Sequence, residues 1–311
     1  PTLGIAINSE KASGGIMLSA SHNKKQWNAL KLFNSKGEFI NEEDGIKILK
    51  YADNINFSYA NVHELGTITS RDDYIEKHIN KILKLESVDK VGIQNSKFKI
   101  VVDGINSIGG VAIPKLLDSL NVEVVKINCN PNGNFAHDPE PLAENLRELC
   151  DAVLENNADL GIAVDPDVDR LVFVDEKGKL FSEEYTLVAC ADYILSQHKG
   201  KTVSNLSSTR ALSDVTKKYG ESCFASAVGE LNVVKEMKKV SAVIGGEGNG
   251  GVIYPKLHYG RDAMVGTALF LSLVTSKQKS VSEIRSSYPS YFMSKNKISA
   301  NENVNLDSIL D

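Results

Sequence analysis

Apolar and polar positions along this chain follow two rhythms that take turns. Short β-branched runs bounded by Asp, Gly or Asn predict strands, and segments with apolar residues three or four apart predict helices. KFKIVVDG (97–104) is a strand ending at Asp-Gly, GGVAIPKLLDSL (109–120) a helix, and VEVVKIN (122–128) a second strand. Together they form one βαβ unit, expected to be parallel and right-handed. A Pro/Gly/Asn-rich loop, NCNPNGNFAHDPEP (128–141), leads to a helix over 142–157 and a strand at DLGIAV (159–164). LVFVDEKGKLF (171–181) reads as strand, tight turn at Glu176-Lys177-Gly178, and short strand.

The pattern then starts again. Helices are predicted over 183–198, 209–220 (closed by Gly220), 228–239 and 261–277, with strands at 201–208 and on both sides of a glycine-rich loop in 241–255. Alternation of this kind is the signature of an α/β chain. Boundaries fall near residues 70, 182 and 295.

Composition narrows the class. With 311 residues, 42% hydrophobic and 24% charged, the chain has ordinary globular usage and is long enough for two or three domains. A net charge of −5 argues against a general nucleic-acid-binding surface. No apolar run approaches the ~20 residues of a membrane span, and no signal-peptide leader is visible. The four cysteines (129, 150, 190, 223) are scattered without a CxxC pair, which fits reduced thiols in a cytoplasmic protein. Both ends look cut: Pro1 opens the chain without Met, and the last residues close no element.

Three loops could carry chemistry. IAVDPDVDRLVFVD (162–175) sets Asp165, Asp167 and Asp169 between two apolar strands. Like charges ~5 Å apart at an effective dielectric of ~20 repel by about 3 kcal/mol per pair, so a cation is expected among them. Alternate aspartates in an extended loop present carboxylates to one side, and such hard oxygens suit Mg²⁺. A solvated acidic turn is the bland alternative, disfavoured by the apolar flanks and the adjacent Arg170. An EF-hand is excluded because its glycine and distal glutamate are missing. An aspartyl-nucleophile phosphatase, whose apolar strand also ends in Asp-x-Asp, would instead make Asp165 the nucleophile. The second loop, GGIMLSASHNKKQWNALKLF (14–33), offers Ser21 after an apolar strand, with His22 as the only local activating group. In the third, GGEGNGG (245–251), glycines let backbone approach a ligand, while Glu247 and Asn249 suit sugar hydroxyls. It is neither a Walker A loop nor a dinucleotide fingerprint.

In this order and at this separation, SASHN, DPDVDR and GEGNGG resemble the phosphoserine, magnesium and sugar-selecting loops of the α-D-phosphohexomutases. N-A-L-K behind the serine, VGELNV and NPNGNFAHDPEP extend the resemblance over essentially the whole chain. It implies tandem three-layer α/β/α domains with mixed sheets, part of a four-domain architecture. Residues 1–70 would be the C-terminal part of domain 1, 71–182 domain 2, 183–295 domain 3, and 296–311 a linker toward a C-terminal phosphate-binding domain.

The resemblance also implies roles. Ser21 would carry the phosphoryl group and, with Asp165, Asp167 and Asp169, hold Mg²⁺. His22 and Arg170 would stabilise the transferring group, and Lys31 would assist proton transfer. Glu247, Gly248, Asn249 and Arg261 would bind the sugar. The activity implied is interconversion of hexose 1- and 6-phosphates through a bisphosphorylated sugar, with hexose 1,6-bisphosphate as activator. Phosphoglucosamine mutase comes first and phosphoglucomutase/phosphomannomutase second; a metal-dependent phosphatase and a non-catalytic sugar-phosphate-binding fragment are the readings from other classes. The sequence assigns no oligomeric state. Residues 1–311 alone are expected to turn over hexose phosphates weakly or not at all. Three positions depart from the family pattern: Lys24 replaces a proline, Ala29 a glycine, and Gly251 a histidine found in some members. His258 or Arg261 is the expected nearby substitute for that histidine.

Overall fold

The computed structural model describes residues 1–24, 26–54 and 57–293. The chain opens with α1 (Thr2–Glu10), β1 (Gly14–Leu18), β2 (Leu30–Asn34) and α2 (Glu42–Asp53). β1 and β2 pair antiparallel with Leu18 opposite Leu30, so Ser19 to Lys24 lead off one end of a two-stranded sheet. Next come α3 (Tyr74–Ile82), α4 (Lys90–Ser96), β3 (Lys99–Asp103), α5 (Gly109–Asp118), β4 (Glu123–Ile127), α6 (Arg147–Glu155), β5 (Leu160–Val164) and β6 (Leu171–Asp175). The remainder is α7 (Glu183–Gln197), β7 (Thr202–Asn205), α8 (Ala211–Lys218), β8 (Cys223–Ser226), α9 (Glu230–Val240), β9 (Ile244–Glu247), β10 (Gly251–Ile253), α10 (Ala263–Lys277) and α11 (Val281–Ser286).

Two four-stranded sheets follow, in the orders β4-β3-β5-β6 and β10-β9-β7-β8. Both are mixed. In each, two parallel pairings end in one antiparallel edge, β5 with β6 and β9 with β10. Side-chain alternation explains the layers. Ile100 and Val102 of β3 face the core shared with α5, whereas Val101 points the other way, toward Leu149 and Val153 of α6. With both faces covered, β5 and β6 are buried along their whole length, which is why they read as continuous apolar runs. Val203 of β7 likewise meets Val233 and Met237 of α9.

The two sheets share a core. Phe173 of β6 stacks on Phe270 of α10, with ring centroids 3.8 Å apart, and Phe181 sets its edge against Phe270 at 5.1 Å. α7 and α10 are buried over most of their length, consistent with their apolar character all round. Among the described residues no helix is long and apolar enough to cross a membrane.

The predicted strands and helices between 97 and 277 form, except that the short strand expected after the Glu176-Lys177-Gly178 turn is only an isolated bridge of Leu180 to Val174, and with the further differences that follow. The helix expected from 142 starts at Arg147, after a single 3₁₀ turn, because Asn145 donates its amide to the Glu140 carbonyl at 2.8 Å and holds the chain out of helical register. The acidic triplet is not in an extended loop. Val168 takes the left-handed region (φ 63°) and its amide closes a turn onto the Asp165 carbonyl. β8, α3, α4 and the elements before residue 54, apart from the strand ahead of Ser19, were not legible as such. The linker expected over 296–311 lies outside the described residues.

Truncating Phe270 to Ala should leave a cavity between the sheets and cost about 3–5 kcal/mol. Urea unfolding of the variant would show it as a lower midpoint; a loss below about 1 kcal/mol would mean that the aromatic stack does not join the two sheets.

Candidate active site

The acidic turn sits where β5 ends and antiparallel β6 begins. Asp165, Asp167 and Asp169 are 0%, 7% and 5% exposed. Each commits one carboxylate oxygen to the protein. Asp165 Oδ1 accepts from the backbone amides of Asp169 and Arg170, both at 3.0 Å. Asp167 Oδ2 accepts from the Ser19 hydroxyl at 3.0 Å and from Lys31 Nζ. Asp169 Oδ2 accepts from Arg261 Nη2 at 2.9 Å. The other three oxygens, Asp165 Oδ2, Asp167 Oδ1 and Asp169 Oδ1, are buried and have no hydrogen-bond partner among the described residues.

Buried unpartnered carboxylate oxygens are expensive. Here the three aspartates offer ligand atoms within 4.8 Å of one another. A hard, oxygen-preferring divalent cation fits that donor set. Turn geometry, not strand alternation, makes the carboxylates converge.

Two side-chain cations hold the group together. Lys31, on β2, contacts Asp167 and stands 3.5 Å from Asp169. Burial lowers its pKa, but the attraction of Asp169 and Asp167 outweighs burial and raises it. Burial also pushes Asp169 toward protonation, yet Arg261, Lys31 and Arg170 hold it ionised with a pKa of about 2. Asp165 goes the other way: burial first, then Asp169 and Asp167, raise its pKa well above the ordinary carboxylate value. Burial and the neighbouring carboxylates thus disfavour the charged form of Asp165, whereas the cations around Asp169 favour its charged form.

The serine loop reaches this turn from the hairpin. Ser21 sits in the left-handed region (φ 51°), and its amide donates to Ser19 Oγ at 2.8 Å, the same hydroxyl that bonds Asp167. His22 lies between Ser21 and Arg170. Its Nε2 is 3.3 Å from Arg170 Nη2, and its Nδ1 is 3.2 Å from Ser21 Oγ. A guanidinium can only donate, so Nε2 is the acceptor and the ring proton belongs on Nδ1, directed at Ser21 Oγ. Burial, followed by Arg170, lowers the His22 pKa and favours this neutral form. Arg170 itself is fixed by Glu140 at 2.8 Å.

The third loop joins β9 to β10, the position in its sheet that the acidic turn occupies in the other. The Gly250 carbonyl accepts from the Leu171 amide at 3.1 Å, which fastens this loop to the start of β6. Gly250 is at φ 89°, and a Cβ there would lie 2.5 Å from the Leu171 carbonyl oxygen. Glu247 is 3% exposed and both its oxygens are engaged: Oε1 with Asn205 Nδ2 (2.7 Å) and the Gly229 amide (3.2 Å), Oε2 with Arg261 Nη1 (2.8 Å). Gly248 N donates to Ser208 Oγ at 2.9 Å, and Asn249 Oδ1 accepts from Gly251 N at 3.2 Å. Arg261 also donates through Nε to Glu230 at 2.9 Å.

Three family profiles match in the order of these loops. They are the α/β/α domains I, II and III of phosphoglucomutase/phosphomannomutase, over residues 1–59, 72–178 and 182–291. The chain belongs to the phosphoglucomutase/phosphomannomutase family. A Thermococcus kodakarensis protein named phosphoglucomutase/phosphomannomutase is 33% identical over 299 residues, covering 96% of this chain and 65% of the relative. A Methanopyrus kandleri protein named as a probable phosphoglucosamine mutase is 31% identical, covering 94% and 64%. A crystal structure from Thermus thermophilus, described as a phosphomannomutase, superposes with a TM-score of 0.82 at 26% identity, covering 92% of this chain and 65% of that one. The chain thus spans a little under two thirds of the relatives it matches, and the fourth domain of the phosphohexomutase architecture is not covered.

Set beside that family, the departures acquire local reasons. Lys24, in place of proline, stands 3.4 Å from Asp138 across the cleft. At Gly251, a Cβ would lie 2.3 Å from Arg261 Cδ, so the Arg261 stem fills the space that a side chain at 251 would enter. Of the two expected substitutes for a histidine there, Arg261 occupies that space. His258 does not, since its Nε2 is bound to Asp262 at 3.0 Å.

Three side chains of the site were missed in the sequence. Ser19 links the serine loop to Asp167, Glu140 holds Arg170, and Glu230 holds Arg261. Burial is the main cause of a Glu230 pKa of about 7, with Arg261 pulling the other way. Glu140 and Glu230 lie within NPNGNFAHDPEP and VGELNV, so the signal was present as motif context but carried no direction.

Asp167→Asn removes one ligand charge and also relieves repulsion. Isothermal titration should show Mg²⁺ binding weakened by about tenfold or more, with a much smaller change in unfolding free energy. Unchanged Mg²⁺ affinity would make the triplet a structural feature.

Proposed function

We propose that the protein of which this chain is part is a Mg²⁺-dependent phosphohexomutase with Ser21 as phosphoryl carrier. The observation that carries this reading is the set of three unpartnered aspartate oxygens beside a loop whose left-handed serine is tied to them through Ser19. Asp165, Asp167 and Asp169 would hold the ion. When bound, Mg²⁺ neutralises charge that develops on the transferring phosphoryl group.

The chain's own residues have defined tasks in this reading. Ser21 Oγ gives its phosphoryl group to a free hydroxyl of a hexose 1- or 6-phosphate: the Oγ–P bond breaks, a sugar O–P bond forms, and the proton lost by that hydroxyl is matched by the one gained at Oγ. His22 Nδ1–H points at Oγ and Arg170 stands behind the imidazole, so positive charge and a donor meet the transferring group. Lys31, kept protonated by its aspartate neighbours, is an acid rather than a base and can return a proton to the departing serine oxygen. Glu247, Gly248 and Asn249 grip the sugar hydroxyls. For Glu247 this requires sharing or exchanging a present partner, Asn205, the Gly229 amide or Arg261. The resulting hexose 1,6-bisphosphate, which also serves as activator, turns in the cleft and returns its other phosphoryl group to Ser21.

Asp165 is a poor candidate for the nucleophile of the competing phosphatase reading. It is fully buried, and one of its oxygens is capped by two amides. We place phosphoglucosamine mutase first and phosphoglucomutase/phosphomannomutase second; relatives of the chain carry both names. We divide the chain near residues 70, 182 and 295 and place it, with its four free thiols, in the cytoplasm.

Ser21→Ala in the full-length protein should lower turnover of glucosamine, glucose and mannose 1-phosphates by roughly 10³-fold or more. Mass spectrometry of the parent should find a phosphopeptide within residues 19–31. Retained mutase activity together with an unphosphorylated loop would remove Ser21 from this role.

A further inference from the structure

Behind the Arg261 loop lies a second convergence of ligand-type side chains, outside the machinery described above. His78 on α3, His258 in the loop before α10, and Asp262 at the α10 N-cap are all buried, the first and last completely. Both imidazoles turn Nε2 toward one oxygen of one carboxylate: His78 at 2.8 Å and His258 at 3.0 Å from Asp262 Oδ2. The ligand atoms of the three residues lie within 4.8 Å of one another.

We propose that His78, His258 and Asp262 form a binding site for a divalent first-row transition metal, distinct from the all-oxygen aspartate site. Donor chemistry separates the two. Three carboxylate oxygens select a hard cation, whereas two imidazole nitrogens and one carboxylate oxygen suit Zn²⁺, Co²⁺ or Fe²⁺. Ligand atoms held at about 2.1 Å by one tetrahedral ion lie about 3.4 Å apart, so the Oδ2–Nε2 separations of 2.8 and 3.0 Å, now hydrogen bonds, need open by only about half an ångström to admit it.

Outer partners already hold the set in place, as metal ligands require. Asp262 Oδ1 accepts from the amides of Met264 (2.8 Å) and Val265 (3.3 Å), which leaves Oδ2 for the histidines. His78 Nδ1 lies 3.1 Å from Thr2 Oγ1. A carboxylate accepts only, so in the metal-free state both Nε2 atoms carry their protons. Metal binding needs the Nε2 lone pairs, and each ring proton therefore moves to Nδ1. At His78, the Thr2 hydroxyl then changes from donor to acceptor, which its two lone pairs allow. No net proton is released, and the formal charge of the group changes from −1 to +1.

The position gives the site a consequence. Its ligands come from α3, in the region matched by the second family domain, and from residues 258 and 262 in the region matched by the third. A bound ion would cross-link the two regions next to Arg261. His258 lines the same cleft as Lys31, Asp167 and Asp169.

The test uses the full-length Asp167→Asn protein, in which the oxygen site is weakened, with Mg²⁺ present in excess to occupy what remains of it. Co²⁺ titration should give visible d–d bands that saturate at one equivalent, and Zn²⁺ should displace Co²⁺ and raise the unfolding temperature. His78→Gln and His258→Gln, which keep a hydrogen-bonding amide, should each weaken Co²⁺ binding by about tenfold or more. X-ray absorption of the Co²⁺-loaded Asp167→Asn protein should show two imidazole ligands, a readout independent of how the glutamine variants fold. Absence of a Co²⁺ spectrum, or a spectrum that both glutamine variants leave unchanged, would overturn the proposal and leave the triad as a hydrogen-bonded structural node.

Discussion

Repulsion among Asp165, Asp167 and Asp169 is the constraint around which the cleft is built. The turn closed by Val168 crowds three buried carboxylates together, and in such surroundings unbalanced charge is costly. Lys31 and Arg261 answer part of it, each from a different region of the chain. Lys31 arrives on β2, and Arg261 from the loop leading into α10. The acidic turn therefore organises contacts among the serine hairpin, its own sheet and the sheet that follows. What the side-chain cations leave unanswered is carried by a raised Asp165 pKa and by three oxygens without partners.

Topology makes that organisation possible. In both four-stranded sheets a central parallel strand is followed by an antiparallel edge strand, and the loop between them opens at the strand's carboxyl end. One such loop carries the aspartates, the other the glycine-rich turn. The Gly250–Leu171 hydrogen bond couples them at the backbone, and Arg261 couples them through side chains by donating to both Asp169 and Glu247. The acidic turn and the glycine-rich loop, on separate sheets, are thus held in register by one peptide contact and one guanidinium.

How much of this could be read beforehand follows from which signals are local. β5 and β6 were legible because burial on both faces imposes a continuous apolar run, and α10 because its apolar length exceeds any strand. α2 has no buried residue, so a core-facing stripe could not reveal it. Ser21, the three aspartates and Glu247 were legible as motifs. Glu140, Glu230 and Ser19 were not, because their importance lies in aiming another side chain from a distance along the chain. The extended-loop expectation for the aspartates failed at Val168, a β-branched residue in a left-handed conformation that local preference disfavours.

The central claim is that the three free aspartate oxygens hold a divalent cation opposite the serine loop. Anomalous diffraction from crystals of the full-length protein soaked in Mn²⁺, a stand-in for Mg²⁺, tests it most directly. The account predicts one strong peak within about 2.3 Å of Asp165 Oδ2, Asp167 Oδ1 and Asp169 Oδ1. A map with no peak at the turn at saturating Mn²⁺, or with the ion bound by other side chains, would contradict it.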